Sequence, residues 1–316
     1  MICMYRGQLN LGYASKGYTG YTGYTGYTGY SNLGRYSMTN VLNVACVNVD
    51  NAWCYGVSYL GGEFSLYSSA NKALASFRTE ANSLSSGRGL DVYQADGRPH
   101  FLVADPYEGA GSNAYMFKLI AQNNISMLES YLSGVDAAAT KTATDVACLV
   151  VSGQNLGACV SMNPNVQIYN LNSKAHLYTI KHGSFKTPQG LSSFANQLLV
   201  VDSGAKKLFL FQAGNSSASF VREINFPGFS KPIGAEFKRL QDGSYLIAVA
   251  DEGAGKIFLM NETGQQVLAP ISLSGARDVS FYEDAGEIYL RAVQSLQAVH
   301  LYQLHREFKR NMLLAK

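Results

Sequence analysis

Four short polar side chains, Asn43, Asp91, Asp145 and Asp278, each open a short apolar run: "NVACV", "DVYQ", "DVACLVV" and "DVSFY". Three more aspartates, Asp105, Asp202 and Asp251, each close one, in "FLVAD", "LLVVD" and "IAVAD", with Glu108 and Glu252 just beyond. Oxygen donors gathered from separate chain segments are what a hard cation takes, roughly six to eight at a time. Calcium is therefore the cofactor these residues would suit. Short polar side chains have a second role, accepting backbone N–H bonds in turns and between neighbouring segments. Both roles stay open at this stage. Arg88 and Arg277 stand next to the first set in sequence and would neutralise acids in salt bridges.

Other chemistries leave weaker marks. The chain has no G-x-S-x-G nucleophile turn, and its histidines, His100, His176, His182, His300 and His305, lack the H-E-x-x-H spacing of a zinc site. The glycine-rich stretches "EGAGS" (108–112) and "EGAGK" (252–256) could present backbone N–H groups to an anion. No helical pattern follows either of them, so ordinary turn chemistry explains them as well. Trp53, the single tryptophan, lies beside Cys54 in an apolar run and reads as core.

The elements that would position these residues are legible as a repeat. Six segments share one order of signals: a small polar residue or glycine, an apolar strand, a turn such as "QADGR", "SGQN" or "EDAGE", a second apolar strand, and a third strand such as "YMFKL", "LFLF" or "VHLYQL". Looser fourth strands, such as "AHLYTI" and "ASFVREINF", lie between them. Four strands in a period of about 45 residues are the mark of a β-propeller blade. The fold class expected is therefore all-β, a six-bladed β-propeller of four-stranded antiparallel blades. Asn43, Asp91, Asp145 and Asp278 would then sit at one place in four consecutive blades, with Gly190 and Gly234 there in the other two, and surround one channel mouth.

The best-defined repeats, "PQGLSSFANQLLVVDSGAKKLFLF" and "PIGAEFKRLQDGSYLIAVADEGAGKIFLM", resemble NHL-type repeats and the related YVTN and lactonase-like propellers. Pro188, Gly190, Asp202 and Lys207 fit that pattern, as do Pro232, Gly234, Asp251 and Lys256. The other repeats depart from it: Tyr59, Met162 and Val293 stand where the aspartate would be. The resemblance implies the propeller fold, and for some relatives a metal at the channel mouth or RNA on a basic face. Three functions follow: a non-enzymatic module binding a protein or small molecule, a metal-dependent hydrolase of the lactonase type, and an NHL-like nucleic-acid binder. The acids expected at the mouth disfavour phosphate backbones and rank the nucleic-acid reading last.

The ends and the cysteines complete the reading. A low-complexity tract, "GYTGYTGYTGYTGY", fills residues 17–30; residues 31–305 hold the blades; residues 306–316 form a basic tail or cap. Blade 6 lacks an obvious fourth strand, and residues 1–16 could supply it, with the tract as a surface connector. No apolar run reaches the length of a membrane span, and the first residues lack the apolar core of a secretion signal. The net charge is only +3. A hairpin centred near Asp50 would oppose Cys46 and Cys54, and a turn at Gly153-Gln154 would oppose Cys148 and Cys159, close enough for disulfides. Four buried thiols are the alternative. Disulfides would point to an extracytoplasmic or secreted protein.

Overall fold

The computed structural model describes residues 24–61, 63–78, 88–104, 114–121, 124–131, 143–161, 164–240 and 243–308. Its strands form six four-stranded antiparallel sheets. Blade 1 is β2 (Val41–Val49), β3 (Ala52–Tyr59), β4 (Glu63–Ser68) and β5 (Ala73–Arg78). Blade 2 is β6 (Gly89–Ala95), β7 (Arg98–Ala104), β8 (Ala114–Ala121) and β9 (Asn124–Tyr131). Blade 3 is β10 (Ala143–Val151), β11 (Gln154–Ser161), β12 (Asn165–Asn170) and β13 (His176–Lys181). Blade 4 is β14 (Pro188–Phe194), β15 (Gln197–Asp202), β16 (Lys207–Ala213) and β17 (Ala218–Asn225). Blade 5 is β18 (Pro232–Arg239), β19 (Tyr245–Asp251), β20 (Lys256–Asn261) and β21 (Gln266–Ser272). Blade 6 joins β22 (Ala276–Asp284), β23 (Glu287–Gln294) and β24 (Ala298–Phe308) to an outermost strand from the other end of the chain, β1 (Tyr24–Ser37). The first strands of successive blades touch in order around the ring, and β2 meets β22 to close it. The chain is a six-bladed β-propeller.

Blade packing explains the continuous apolar runs. Each inner hairpin is covered on both faces, so polar and apolar residues do not alternate along it. Successive side chains point to opposite neighbours. Ala45 and Val47 pack toward blade 2 with Phe64, Phe101 and Phe117, while Val44 and Cys46 pack toward blade 6 with Tyr282 and Val293. Equivalent apolar layers fill the other four blade interfaces. The outer strand β17 is largely half-buried or exposed.

Two expectations are corrected. Closure of blade 6 is made by Tyr24–Ser37, so the second part of the Gly-Tyr-Thr tract forms the first half of the closing strand. Residues 1–16, expected in that place, lie outside the described residues, as do 309–316 of the tail. Edge-on contact of Tyr30 with Tyr302 and a 2.7 Å hydrogen bond between Ser31 Oγ and His305 Nε2 help set its register.

The disulfides do not form: neither Cys46 with Cys54 nor Cys148 with Cys159 is bonded. The cause is turn register. The first hairpin turns on Asp50 and Asn51, both at positive φ, and the third on Ser152 and Gly153, also both positive. Such two-residue turns match the twist of a hairpin. Cys54 therefore opposes Val47 rather than Cys46, so the two thiols face different blades. Cys148 opposes Gly157, and Cys159 stands two residues farther along, a diagonal of about 7–8 Å that a disulfide does not span. These four thiols give no argument for an oxidising compartment.

Candidate functional site

The channel mouth is shaped by one recurrent irregularity. In five blades the first hairpin carries a bulge between the first and third residues of the inner strand: Val41/Asn43, Ala143/Asp145, Pro188/Gly190, Pro232/Gly234 and Ala276/Asp278. A bulge puts two residues against one and re-aims a side chain. In blades 3 to 6 the extra residue, Thr144, Gln189, Ile233 or Arg277, reaches the mouth. Those four line a cavity of about 260 Å³ with Asn43, Arg88, Asp145, Lys231, Gly234 and Glu252, so all six blades contribute. Of the first acid set, Asn43 and Asp145 line this cavity, whereas Asp91 and Asp278 do not. Blade 2 lacks the bulge, and its Gly89 lies against Asp145. Asp91 therefore sits deeper between the blades.

The aspartates of the first set are held by backbone. Asp278 Oδ2 accepts the Val44 N–H at 2.9 Å, from blade 6 to blade 1. Asp91 accepts its own strand's Val92 N–H at 2.5 Å and the Cys148 N–H of blade 3 at 2.9 Å. Asp145 does the same with Val146 N–H at 2.9 Å and the Leu191 N–H of blade 4 at 2.7 Å. Ser192 and Ser280 extend the stitching, accepting Phe237 N–H at 2.9 Å and Cys46 N–H at 3.0 Å. These bonds supply partners that the inner edge of each sheet otherwise lacks. Glycine serves at the remaining joints, where a Cβ on Gly190 would lie 2.2 Å from the Ile233 carbonyl oxygen and one on Gly234 2.4 Å from that of Arg277.

The second set splits in the same way. Asp202 accepts N–H bonds from Lys186, Thr187 and Ala205 at 2.7–2.9 Å. Asp251 accepts them from Ser230, Lys231 and Ala254 at 2.7–2.8 Å. Each knots the entry to its inner strand onto the turn after its second strand. Glu252 pairs with Lys231 at 2.5 Å. The "EGAGK" turn packs Gly253 against Ser230 and Lys231. Asp105 and Glu108, with "EGAGS", lie outside the described residues. Among the described residues no three His, Cys, Asp or Glu side chains gather in a metal-holding cluster.

Positive charge is what remains open at the mouth. Arg88 and Arg277 belong to none of the ion pairs formed among the described residues. Arg277 Nε and Asn43 Oδ1 are buried with no hydrogen-bond partner. Burial lowers the Arg277 pKa and the neighbouring Arg88 lowers it further, while Glu252, Asp278 and Asp145 act the other way. The bulge residues were not legible from composition or strand pattern. The proline-x-glycine and alanine-x-aspartate openings of the inner strands were the available sign of an extra residue. A second cavity, about 580 Å³, lies at the seam of blades 6 and 1 and is lined by Tyr36, Met38, Tyr59, Glu63 and Tyr67 among others. Tyr59 and Tyr67 share a 2.7 Å hydrogen bond between their hydroxyls there.

No family model matches the chain, and no curated protein matches it. Among solved structures it is similar to BBS1N, crystallised in complex with ARL6DN and soaked with mercury. The TM-score is 0.56 at 12% identity, over 84% of this chain and 79% of that one. At that identity the likeness is one of fold, and it agrees with the propeller seen here. No helix among the described residues is long and apolar enough to cross a membrane.

Proposed function

We propose that this chain is a non-enzymatic interaction module that holds a protein partner or a small ligand at the mouth of its channel. One observation carries the reading: every blade places a side chain or backbone group at a single cavity whose acids are engaged and whose arginines form no ion pair among the described residues. A propeller of similar fold, BBS1N, was crystallised with a protein partner, ARL6DN, which supports a binding role for such a ring. The proline-glycine and aspartate spacing of blades 4 and 5 supports kinship with NHL-type and YVTN repeats. A metal-dependent hydrolase draws less support, because Asp91, Asp145, Asp202, Asp251 and Asp278 each give at least one carboxylate oxygen to a backbone N–H group. Nucleic acid fits poorly, since Arg88, Lys231 and Arg277 share the mouth with Asp145 and Glu252.

A photo-crosslinking residue at Gln189, in the mouth, tests the proposal against one at Ala285, an exposed position in the turn at the far end of an inner hairpin. In extracts of the source cells, a defined partner captured from Gln189 and not from Ala285 is the expected result. Equal capture from both, or none from Gln189, contradicts it.

A further inference from the structure

The mouth holds cationic donors whose demands the protein does not meet. Arg277 stands on the blade 6 bulge with its Nε buried and unbonded. Arg88 reaches the same cavity from blade 2 and is close enough to add to the depression of the Arg277 pKa. Two guanidinium groups sharing so small a space repel, and leaving a buried donor unbonded is costly. Both carboxylates in the cavity are engaged: Asp145 accepts two backbone N–H bonds, and Glu252 holds Lys231. Asn43 is 5% exposed, and its amide oxygen also has no donor. The other end of its amide carries two N–H donors.

We propose that the mouth binds a small oxyanion, a carboxylate or phosphate group, on the guanidinium groups of Arg88 and Arg277 with the Asn43 amide as a further donor. This rests on the mouth being the binding face and names the chemistry it selects. A planar guanidinium presents five N–H donors in a fork that matches carboxylate and phosphate oxygens. An oxyanion would bond the guanidinium N–H groups that reach the cavity and relieve the repulsion between the arginines. A cavity of about 260 Å³ suits a single acidic group, such as a peptide C-terminus, an acidic side chain or a phosphate monoester, better than a polymer backbone.

Isothermal titration of the full chain with sodium phosphate, sodium succinate and sodium acetate, against sodium chloride at matched ionic strength, tests this and separates the two sources. One of the oxyanions should bind with a stoichiometry of one, and Arg277→Gln should weaken it about tenfold or more, as expected for losing a hydrogen bond between charged groups. In chloride alone Arg277→Gln should melt at or above the wild-type temperature, since it removes the repulsion with Arg88 and a buried, unbonded donor. Arg88→Gln gives a second variant with the same expected loss of binding. The proposal is overturned if no oxyanion binds the wild-type chain, or if both variants bind as tightly as wild type. Crosslinking from Gln189 in a chain blind to every oxyanion overturns the oxyanion and keeps the binding face. Oxyanion binding without crosslinking supports the site and overturns the partner.

Discussion

Replacing Asp251 by asparagine isolates what the buried acids do. The carboxylate is fully buried and accepts three backbone N–H bonds, from Ser230 at 2.7 Å and from Lys231 and Ala254 at 2.8 Å. Oδ1 takes two of these bonds and Oδ2 one. Asparagine keeps the shape but has one oxygen, so whichever way it turns an NH₂ group faces at least one backbone N–H. A hydrogen bond to a charged acceptor contributes about 1.5–3 kcal/mol, and a buried donor left unbonded costs about 1–3 kcal/mol. The substitution should therefore destabilise by about 2–4 kcal/mol, and Asp251→Ala, which strips all three donors, by about 3–5 kcal/mol. Against a total of about 5–15 kcal/mol this is a large fraction. Urea unfolding followed by tyrosine and tryptophan fluorescence reads it as a lower midpoint, with calcium and with EDTA giving the same curve for the wild-type chain. An asparagine variant within about 0.5 kcal/mol of wild type refutes the reasoning. A wild-type midpoint that rises with calcium would assign the acid to a cation instead.

Other consequences follow from the same packing. Gly234→Ala should destabilise by about 1–3 kcal/mol or more, because its Cβ would fall 2.4 Å from the Arg277 carbonyl oxygen; a melting temperature equal to wild type would contradict the close approach of blades 5 and 6. Burial lowers the His100 pKa and Lys118 adds to this, against the Arg98 carbonyl and Asp96. The unfolded state then takes the proton first, so stability is unaffected above about pH 6.5 and falls as pH drops toward the folded value. His100→Gln should flatten part of that loss below about pH 6.5, the remainder including His300, whose pKa is also lowered by burial. An unchanged pH profile would count against it. Burial raises Cys54 to about 11 and Cys159 to about 12. At pH 8 both should resist iodoacetamide in the folded chain and react on unfolding, and mass spectrometry of the unreduced protein should find neither in a disulfide. A native intramolecular disulfide would refute the hairpin registers.

The architecture was legible because a propeller repeats its physics. Each inner hairpin must be apolar on both faces, and each needs a turn, so runs such as "LLVVD" and "IAVAD" marked their places. What escaped was single-residue register. A turn on Asp50-Asn51 instead of Asp50 alone moves Cys54 to the other face of its sheet, and nothing in the spacing of two cysteines distinguishes these. The mouth escaped for the same reason. Sequence pattern placed the aspartates at the start of the inner strands, but in blades 3 to 6 a bulge brings the preceding residue forward, so Arg277 lines the cavity and Asp278 stitches blades together. The closing strand was misplaced because a tract with a three-residue repeat does not show the two-residue alternation of a strand, although Tyr24–Ser37 pairs along β24 with several register shifts.

The most direct test of the account sets cation against anion at one site. Thermal melts of the full chain are recorded in calcium chloride, in sodium phosphate and in sodium succinate, each against sodium chloride of equal ionic strength, for the wild type and for Arg277→Gln. The melting temperature should be raised by phosphate or succinate in the wild type, not in Arg277→Gln, and unmoved by calcium in either. A rise with calcium and none with the oxyanions would contradict it.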